Sequence, residues 1–333
     1  MKKLNVVIIG CGVWGSNFIR LIKESNTFEL YGICDASQAR LDELTLQYPE
    51  IINKSTDYND FIAIDEVDAA FVITHTSTHF DIVKCYLESG KHVFCEKPLA
   101  RTSKDATKLK AIAEDNDRVL LVGHTFLYNQ GIRYLKHYLQ NEWDDKLMYV
   151  QLDRLSNGPF RDDVNVLYDF GVHDLSILHY LFGRKPVSVS AKGVGNIGKG
   201  NADVVFIEAD MGEDVLVHIH LSRVDATKVR QVKLVGEKTL VLFDDTIEQD
   251  KVKVYKKRHP QDKSITIETP EVKFYEPLKY VVNHFYDCVA KNIRPYSELR
   301  EVVEVIELLE AVQESLNQKG KTINLNEFKT ATA

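Results

Sequence analysis

Over the first third of the chain, short apolar runs alternate with amphipathic stretches. Residues 4–9, 28–34, 67–74, 92–95 and 119–122 are β-branched or apolar runs bounded by Gly, Asp or Pro, the pattern of buried strands. Between them, 13–24 carries Phe18, Leu21 and Ile22 on one helical face. Segments 77–89 and 102–116 have the same character, with Ser77 and Thr102 placed as N-caps. Strands alternating with helices predict a parallel sheet with right-handed crossovers, a doubly wound α/β domain.

From about residue 123 the texture changes. Two helical stretches, 128–141 and 169–182, precede runs of period-two alternation at 187–194, 204–210, 215–221, 229–234, 239–243 and 252–255. Turn signals separate them, such as Met-Gly-Glu-Asp at 211–214 and Gly-Glu-Lys at 236–238. Strands in series with short turns predict a large, mostly antiparallel open sheet, and helices at 278–291 and 297–318 close an α+β domain. A length of 333 residues fits about two domains. The expected boundaries are 1–122 and 123–333, packed rigidly around a cleft.

Composition narrows the function classes. The balance of 42 basic against 49 acidic residues gives a net charge of −7, which argues against a nucleic-acid partner. No apolar run reaches the roughly 18–20 residues that a bilayer requires. The start, Met-Lys-Lys-Leu-Asn-Val-Val-Ile-Ile, has an apolar core too short for a signal peptide and runs into a glycine loop, so a cytoplasmic protein is expected. Five cysteines (Cys11, Cys34, Cys85, Cys95, Cys288) lack metal or disulfide spacing and read as reduced thiols. His218 and His220 share one strand face, but without a carboxylate or cysteine to complete a site no metal is expected.

The strand at 4–9 runs directly into Gly10-Cys11-Gly12-Val13-Trp14-Gly15, a G-x-G-x-x-G. Gly10 permits the tight turn, Gly12 lets backbone approach a pyrophosphate, and Gly15 lets helix and strand pack closely. The amides around Val13 and Trp14 then open a helix whose dipole favours phosphate. Asp35, twenty residues past Gly15 at the end of the second strand, is placed to accept from ribose hydroxyls. Its charge would repel a 2′-phosphate, so NAD is expected over NADP, with Arg40 working the other way. This half is therefore a Rossmann domain.

A second motif is Gly90-Lys91-His92-Val93-Phe94-Cys95-Glu96-Lys97-Pro98-Leu99-Ala100, which puts a lysine at the carboxyl end of a parallel strand, the edge where such sheets bind ligands. Here the chain resembles the glucose–fructose oxidoreductase / inositol dehydrogenase / MocA family. The likeness extends to Thr74-His75-Thr76-Ser77-Thr78-His79, to Asp169-Phe170-Gly171-Val172-His173-Asp174 and to the closing Gly-Lys-Thr-Ile-Asn-Leu at 320–325. It implies hydride transfer between nicotinamide C4 and a hydroxyl or keto carbon of a sugar, polyol or nucleotide-linked sugar. On that reading Lys97 stabilises the alkoxide and contacts the nicotinamide ribose. His173 is the general acid/base, suited by a reference pKa near 6.5. Asp169, on the same helical face, orients His173 or binds a substrate hydroxyl. Thr74, His75, His79 and Glu96 join the cofactor site, Glu96 at the nicotinamide end. His179, on the apolar stripe of the same helix, reads as buried and structural.

Substrate contacts are harder to read. Arg154 and Arg161 are candidates for a substrate phosphate or carboxylate, and Asn165 belongs to the same segment. Family members often carry an arginine after the sixth strand, where this chain has His124-Thr125-Phe126-Leu127-Tyr128-Asn129, making Tyr128 and Asn129 the pocket candidates there. Two alternatives share the fold: a redox-neutral glycosidase that retains its NAD, and a non-catalytic dinucleotide sensor, against which the presence of both Lys97 and His173 counts. By analogy, a homodimer or homotetramer through the carboxyl-terminal sheet is expected.

Overall fold

The computed structural model describes residues 2–158, 165–195 and 202–331. It divides into two compact units, Met1–Thr125 with Glu276–Ile306, and Phe126–Tyr275 with Glu307–Ala333. The segment 276–306, assigned by the expected 122/123 boundary to the second domain, thus belongs to the first unit.

The first unit alternates strand and helix: β1 (Leu4–Ile9), α1 (Val13–Lys23), β2 (Phe28–Cys34), α2 (Gln38–Gln47), β3 (Asn53–Ser55), β4 (Ala69–Val72), α3 (Thr76–Glu88), β5 (His92–Cys95), α4 (Ser103–Asp115) and β6 (Leu120–Val122). All six strands pair in parallel, in the order β3-β2-β1-β4-β5-β6. Val6, Val7 and Ile8 are fully buried, as strands covered on both faces require. The order reverses direction between β1 and β4, the switch point at which doubly wound sheets bind ligands. Thr102 caps α4 by accepting from the Asp105 amide. Ser77, expected to cap α3, lies inside its first turn; the cap position is His75, whose side chain does not cap the helix.

In the second unit, α5 (Gln130–Asn141) precedes β7 (Leu147–Asn157), α6 (Val172–Phe182), β8 (Ser188–Val194), β9 (Val204–Asp210), β10 (Leu216–Ser222), β11 (Val224–Gly236), β12 (Thr239–Asp244), β13 (Val252–Lys256) and β14 (Thr266–Glu268). The chain then returns to the first unit through α7 (Pro277–Lys291) and the start of α8 (Leu299–Asn317), and back in the second unit β15 (Ile323–Asn324) leads into α9 (Leu325–Ala331). The nine-stranded sheet has the order β14-β13-β12-β11-β7-β10-β9-β8-β15, antiparallel throughout except for the β7–β10 pair. Helix α6 is apolar nearly all round, from Leu175 to Leu181, and correspondingly buried. The expected helix 169–182 is in fact a π-helical turn, Leu167–Gly171, followed by α6.

Among the described residues, no helix is long and apolar enough to cross a membrane, and no group of three or more His, Cys, Asp or Glu could hold a metal ion.

Candidate active site

The carboxyl ends of the first unit's strands gather most of the expected cofactor residues. Gly10 follows β1, Asp35 follows β2, Thr74 lies just past β4, Glu96 and Lys97 follow β5, and Gly123 follows β6. The loop fits a dinucleotide on its own geometry. Gly10 has φ +90°, and a Cβ there would meet the Ile73 carbonyl oxygen at 2.6 Å. A Cβ on Gly15 would sit 2.1 Å from the Gly10 carbonyl oxygen, so the helix is packed hard against the turn. Around Gly12 there is open space, and α1 has no side-chain cap, leaving the amides at its start for an anion. Val13 is almost fully exposed at that helix start, and Trp14 about half.

Asp35 holds this loop from below. Its carboxylate accepts from the Cys11 backbone N–H at 2.8 Å and from the Ser37 N–H at 2.9 Å. Arg40 donates through Nε to the Cys11 carbonyl at 2.7 Å, through Nη2 to Ser16 Oγ at 2.5 Å and through Nη1 to Glu43 at 2.6 Å. Its guanidinium thus links the glycine loop to α1 and α2. Burial, with Asp35 nearby, pushes the Cys11 thiol up to about 12, so it stays a neutral thiol.

The lysine segment is fixed just as closely. Lys97 is half-buried, and its peptide bond to Pro98 is cis. Glu96 accepts from the Lys97 backbone N–H at 3.2 Å and from the Trp14 side chain. It is almost wholly buried, and burial raises its carboxyl above the ordinary range. Its Oε1 has no hydrogen-bond partner and lies 2.9 Å from where a Cβ on Gly123 would be. His79 is also buried, with Nδ1 2.9 Å from the Pro98 carbonyl oxygen and Nε2 3.0 Å from that of Thr74. It therefore braces the Lys97–Pro98 turn from beneath. Thr74 Oγ1 receives a bond from the Thr78 hydroxyl at 2.8 Å, and His75 is exposed.

In the second unit, His173 stands in the first turn of α6, half-buried, immediately after the π-helical turn that carries Asp169. Such turns are frequent at functional sites. The wider turn replaces the ordinary helical spacing expected between Asp169 and His173. Asn165 starts it: its Oδ1 accepts from the Tyr168 amide at 3.0 Å, and its Nδ2 donates to Gln313 at 2.7 Å. His173 packs against the Phe126 ring, with centroids 4.9 Å apart and ring planes at 66°.

The substrate candidates land differently from expectation. Arg154 is not in a loop but on β7, buried, where Nε and Nη2 donate to the Asp174 carboxylate at 2.6 and 3.1 Å. Tyr128 is buried, and Asn129 caps α5 by accepting from the Gly131 amide at 2.9 Å. Arg161 lies outside the described residues. His179 is buried, as read. Asp174 and Phe126 lie within the motif and the loop that the sequence points to but carry no role there, and Arg230 has no local signal.

A parallel sheet with this glycine loop, Asp35 at the end of its second strand and a lysine at the end of its fifth is the architecture of a dinucleotide-binding Rossmann domain. Residues 4–124 match the oxidoreductase family with an NAD-binding Rossmann fold, and residues 143–241 match the GFO/IDH/MocA C-terminal domain. The chain belongs to the Gfo/Idh/MocA family of oxidoreductases, whose Rossmann fold binds NAD. It is similar to UDP-N-acetylglucosamine 3-dehydrogenase of Acidithiobacillus ferrooxidans, at 27% identity over 237 residues, covering 70% of this chain and 72% of that one. Inositol 2-dehydrogenase of Salmonella paratyphi B is 26% identical over 231 residues, covering 66% and 68% respectively. In fold it resembles an oxidoreductase of Agrobacterium radiobacter solved in complex with NAD+, L-tartaric acid and magnesium, with a TM-score of 0.84, 18% identity and coverage of 98% and 99%.

Proposed function

We propose that the protein interconverts a secondary hydroxyl and a ketone on a sugar, polyol or nucleotide-linked sugar. Gly10, Gly12, Gly15, the amides of Val13 and Trp14, and Asp35 would hold NAD, which supplies the hydride acceptor at nicotinamide C4. Lys97 places an ammonium beside the substrate oxygen and stabilises the developing alkoxide. His173 takes the hydroxyl proton in oxidation and returns it in reduction, while Asp169 orients the imidazole or binds a substrate hydroxyl. The observation that carries this reading is the setting of Lys97. It is a half-buried ammonium on the same sheet edge as the glycine loop, its backbone pinned by Glu96 and braced by His79. A homo-oligomer through the outer face of the nine-stranded sheet is part of the same reading, supported by the exposed Tyr149, Leu216 and Phe206 there.

The test is nicotinamide absorbance with NAD+ across a panel of polyols, aldoses and nucleotide-linked sugars, followed by Lys97→Ala and His173→Ala on the best substrate. Loss of turnover by about 10²–10⁴-fold, with NAD+ binding retained, is the expected result. Variants that keep near-wild-type rates would rule out these roles.

A further inference from the structure

We infer that Phe126 is the positioning residue for His173, and that the guanidinium groups of Arg154 and Arg230 clamp its ring. The inference rests on the assignment of His173 as the acid/base.

Phe126 opens the second unit in a short helical turn, Thr125–Tyr128, and is half-buried. Three groups meet its ring. The His173 imidazole packs in an edge arrangement at 4.9 Å, the Arg154 guanidinium carbon lies 4.2 Å from the ring centroid, and that of Arg230 lies 5.0 Å away. Arg154 on β7 and Arg230 on β11 are direct cross-strand partners. Two like charges directly opposite each other destabilise a sheet, so their juxtaposition needs compensation. Each has a carboxylate of its own. Arg154 is bound by Asp174 in a buried pair, and Arg230 donates through Nη1 to Asp245 at 3.0 Å. Asp245 is held in turn by Asn129 Nδ2 at 3.2 Å and Lys251 Nζ at 3.5 Å.

The connectivity explains why this is more than packing. Asp174 is the residue after His173, so the bond that holds Arg154 on the ring also fixes the first turn of α6. Ring, helix start and sheet are tied into one loop of contacts, with the imidazole resting on the phenyl ring. A proton acceptor must keep its lone pair on line, and misplacement by about 1 Å costs on the order of 10²-fold in rate. Cations on the π face, together with the edge contact of the imidazole, restrain the ring that restrains the base.

Two readouts test this. The ring signals of His173, assigned by their loss in His173→Gln, are followed by NMR in Phe126→Leu, Phe126→Tyr and Arg230→Gln; kcat and KM are measured on the best panel substrate. Phe126→Leu should move the His173 signals and lower kcat by about 10²-fold, with KM for NAD+ unchanged. Phe126→Tyr, which keeps the ring, should restore both, and Arg230→Gln should produce a smaller change in the same direction. Unmoved His173 signals in a folded Phe126→Leu protein would overturn the positioning role. Unmoved signals in Arg230→Gln would overturn the clamp. If no panel substrate turns over even with the wild-type chain, the dehydrogenase roles fail, and the NMR comparison still decides Phe126.

Discussion

One added methyl group separates two kinds of glycine in the nucleotide loop. At Gly12 a Cβ meets nothing within 4 Å, whereas at Gly15 it would lie 2.1 Å from the Gly10 carbonyl oxygen. Gly12→Ala should therefore leave thermal unfolding of the NAD-free protein unchanged while obstructing the approach of a pyrophosphate. Losing one charge-assisted amide bond, worth about 1.5–3 kcal/mol, would weaken NAD+ binding about ten- to a hundredfold. Gly15→Ala should lower both stability and binding, because the helix must retreat from the strand. Titration calorimetry and thermal unfolding on both variants check this, and normal NAD+ affinity in Gly12→Ala would contradict the cradle. These glycines, Asp35 and Lys97 were legible in the sequence because each follows from a local requirement: absence of a side chain, or a charge at a strand end. Arg154 and Asn165 were legible as polar groups but not as occupied ones. Their partners, Asp174 and Gln313, are 20 and 148 residues away, and nothing local announces them.

At the scale of elements, β1, β2, β5 and β9 run over the residues that the apolar runs predict. Strand β7 was missed, although it is central to the larger sheet and 11 residues long. Its alternation is broken by Asp153 and Arg154, both buried and both charged, and only their pairing makes that tolerable. Helix α2 was missed for a different reason: it buries only Leu41 and Leu44, too short a stripe to stand out. The join of β5 to β6 has a pH dependence of its own. His92 Nδ1 accepts the Val119 amide hydrogen at 3.0 Å, which requires an unprotonated nitrogen. Burial, with Arg118 adding to it, lowers the imidazole from its ordinary value to about 4. A histidine depressed in the folded state contributes stability above its unfolded pKa and loses it as pH falls toward the folded one. The window here is therefore from about 6.5 down to about 4. His92→Asn keeps an acceptor but does not titrate. Urea unfolding at about pH 7 and about pH 4.5 should show a smaller loss for the variant than for the wild type, and equal losses would assign the acid sensitivity elsewhere.

For the whole molecule, the consequential departure from the sequence reading is that the cofactor-binding unit is discontinuous. Chain order suggests a boundary near residue 122, because the strand–helix alternation ends there. Yet Phe285 on α7 packs against Phe28 at 6.4 Å, Phe71 at 5.3 Å and Phe94 at 6.0 Å. Tyr286 meets Phe28 at 5.7 Å, and Val302 and Ile306 on α8 join the same unit's core beside Leu99 and Ala106. These aromatic residues line the inner faces of β2, β4 and β5, the strands whose ends carry Asp35, Thr74 and Lys97. Helix α7 is thus part of the platform that sets the strand ends, not an appendage to the second unit. Phe285→Ala should cost about 3–5 kcal/mol through the cavity it leaves. Lys279→Ala, on an exposed position of the same helix, should stay within about 0.5 kcal/mol. Because NAD binds only the folded unit, added NAD+ should raise the unfolding temperature of Phe285→Ala toward that of the wild type by mass action. Denaturant unfolding with and without NAD+ measures both effects. A Phe285→Ala protein as stable as the wild type would mean that the strands hold without α7, and the nucleotide unit would then end where the alternation does.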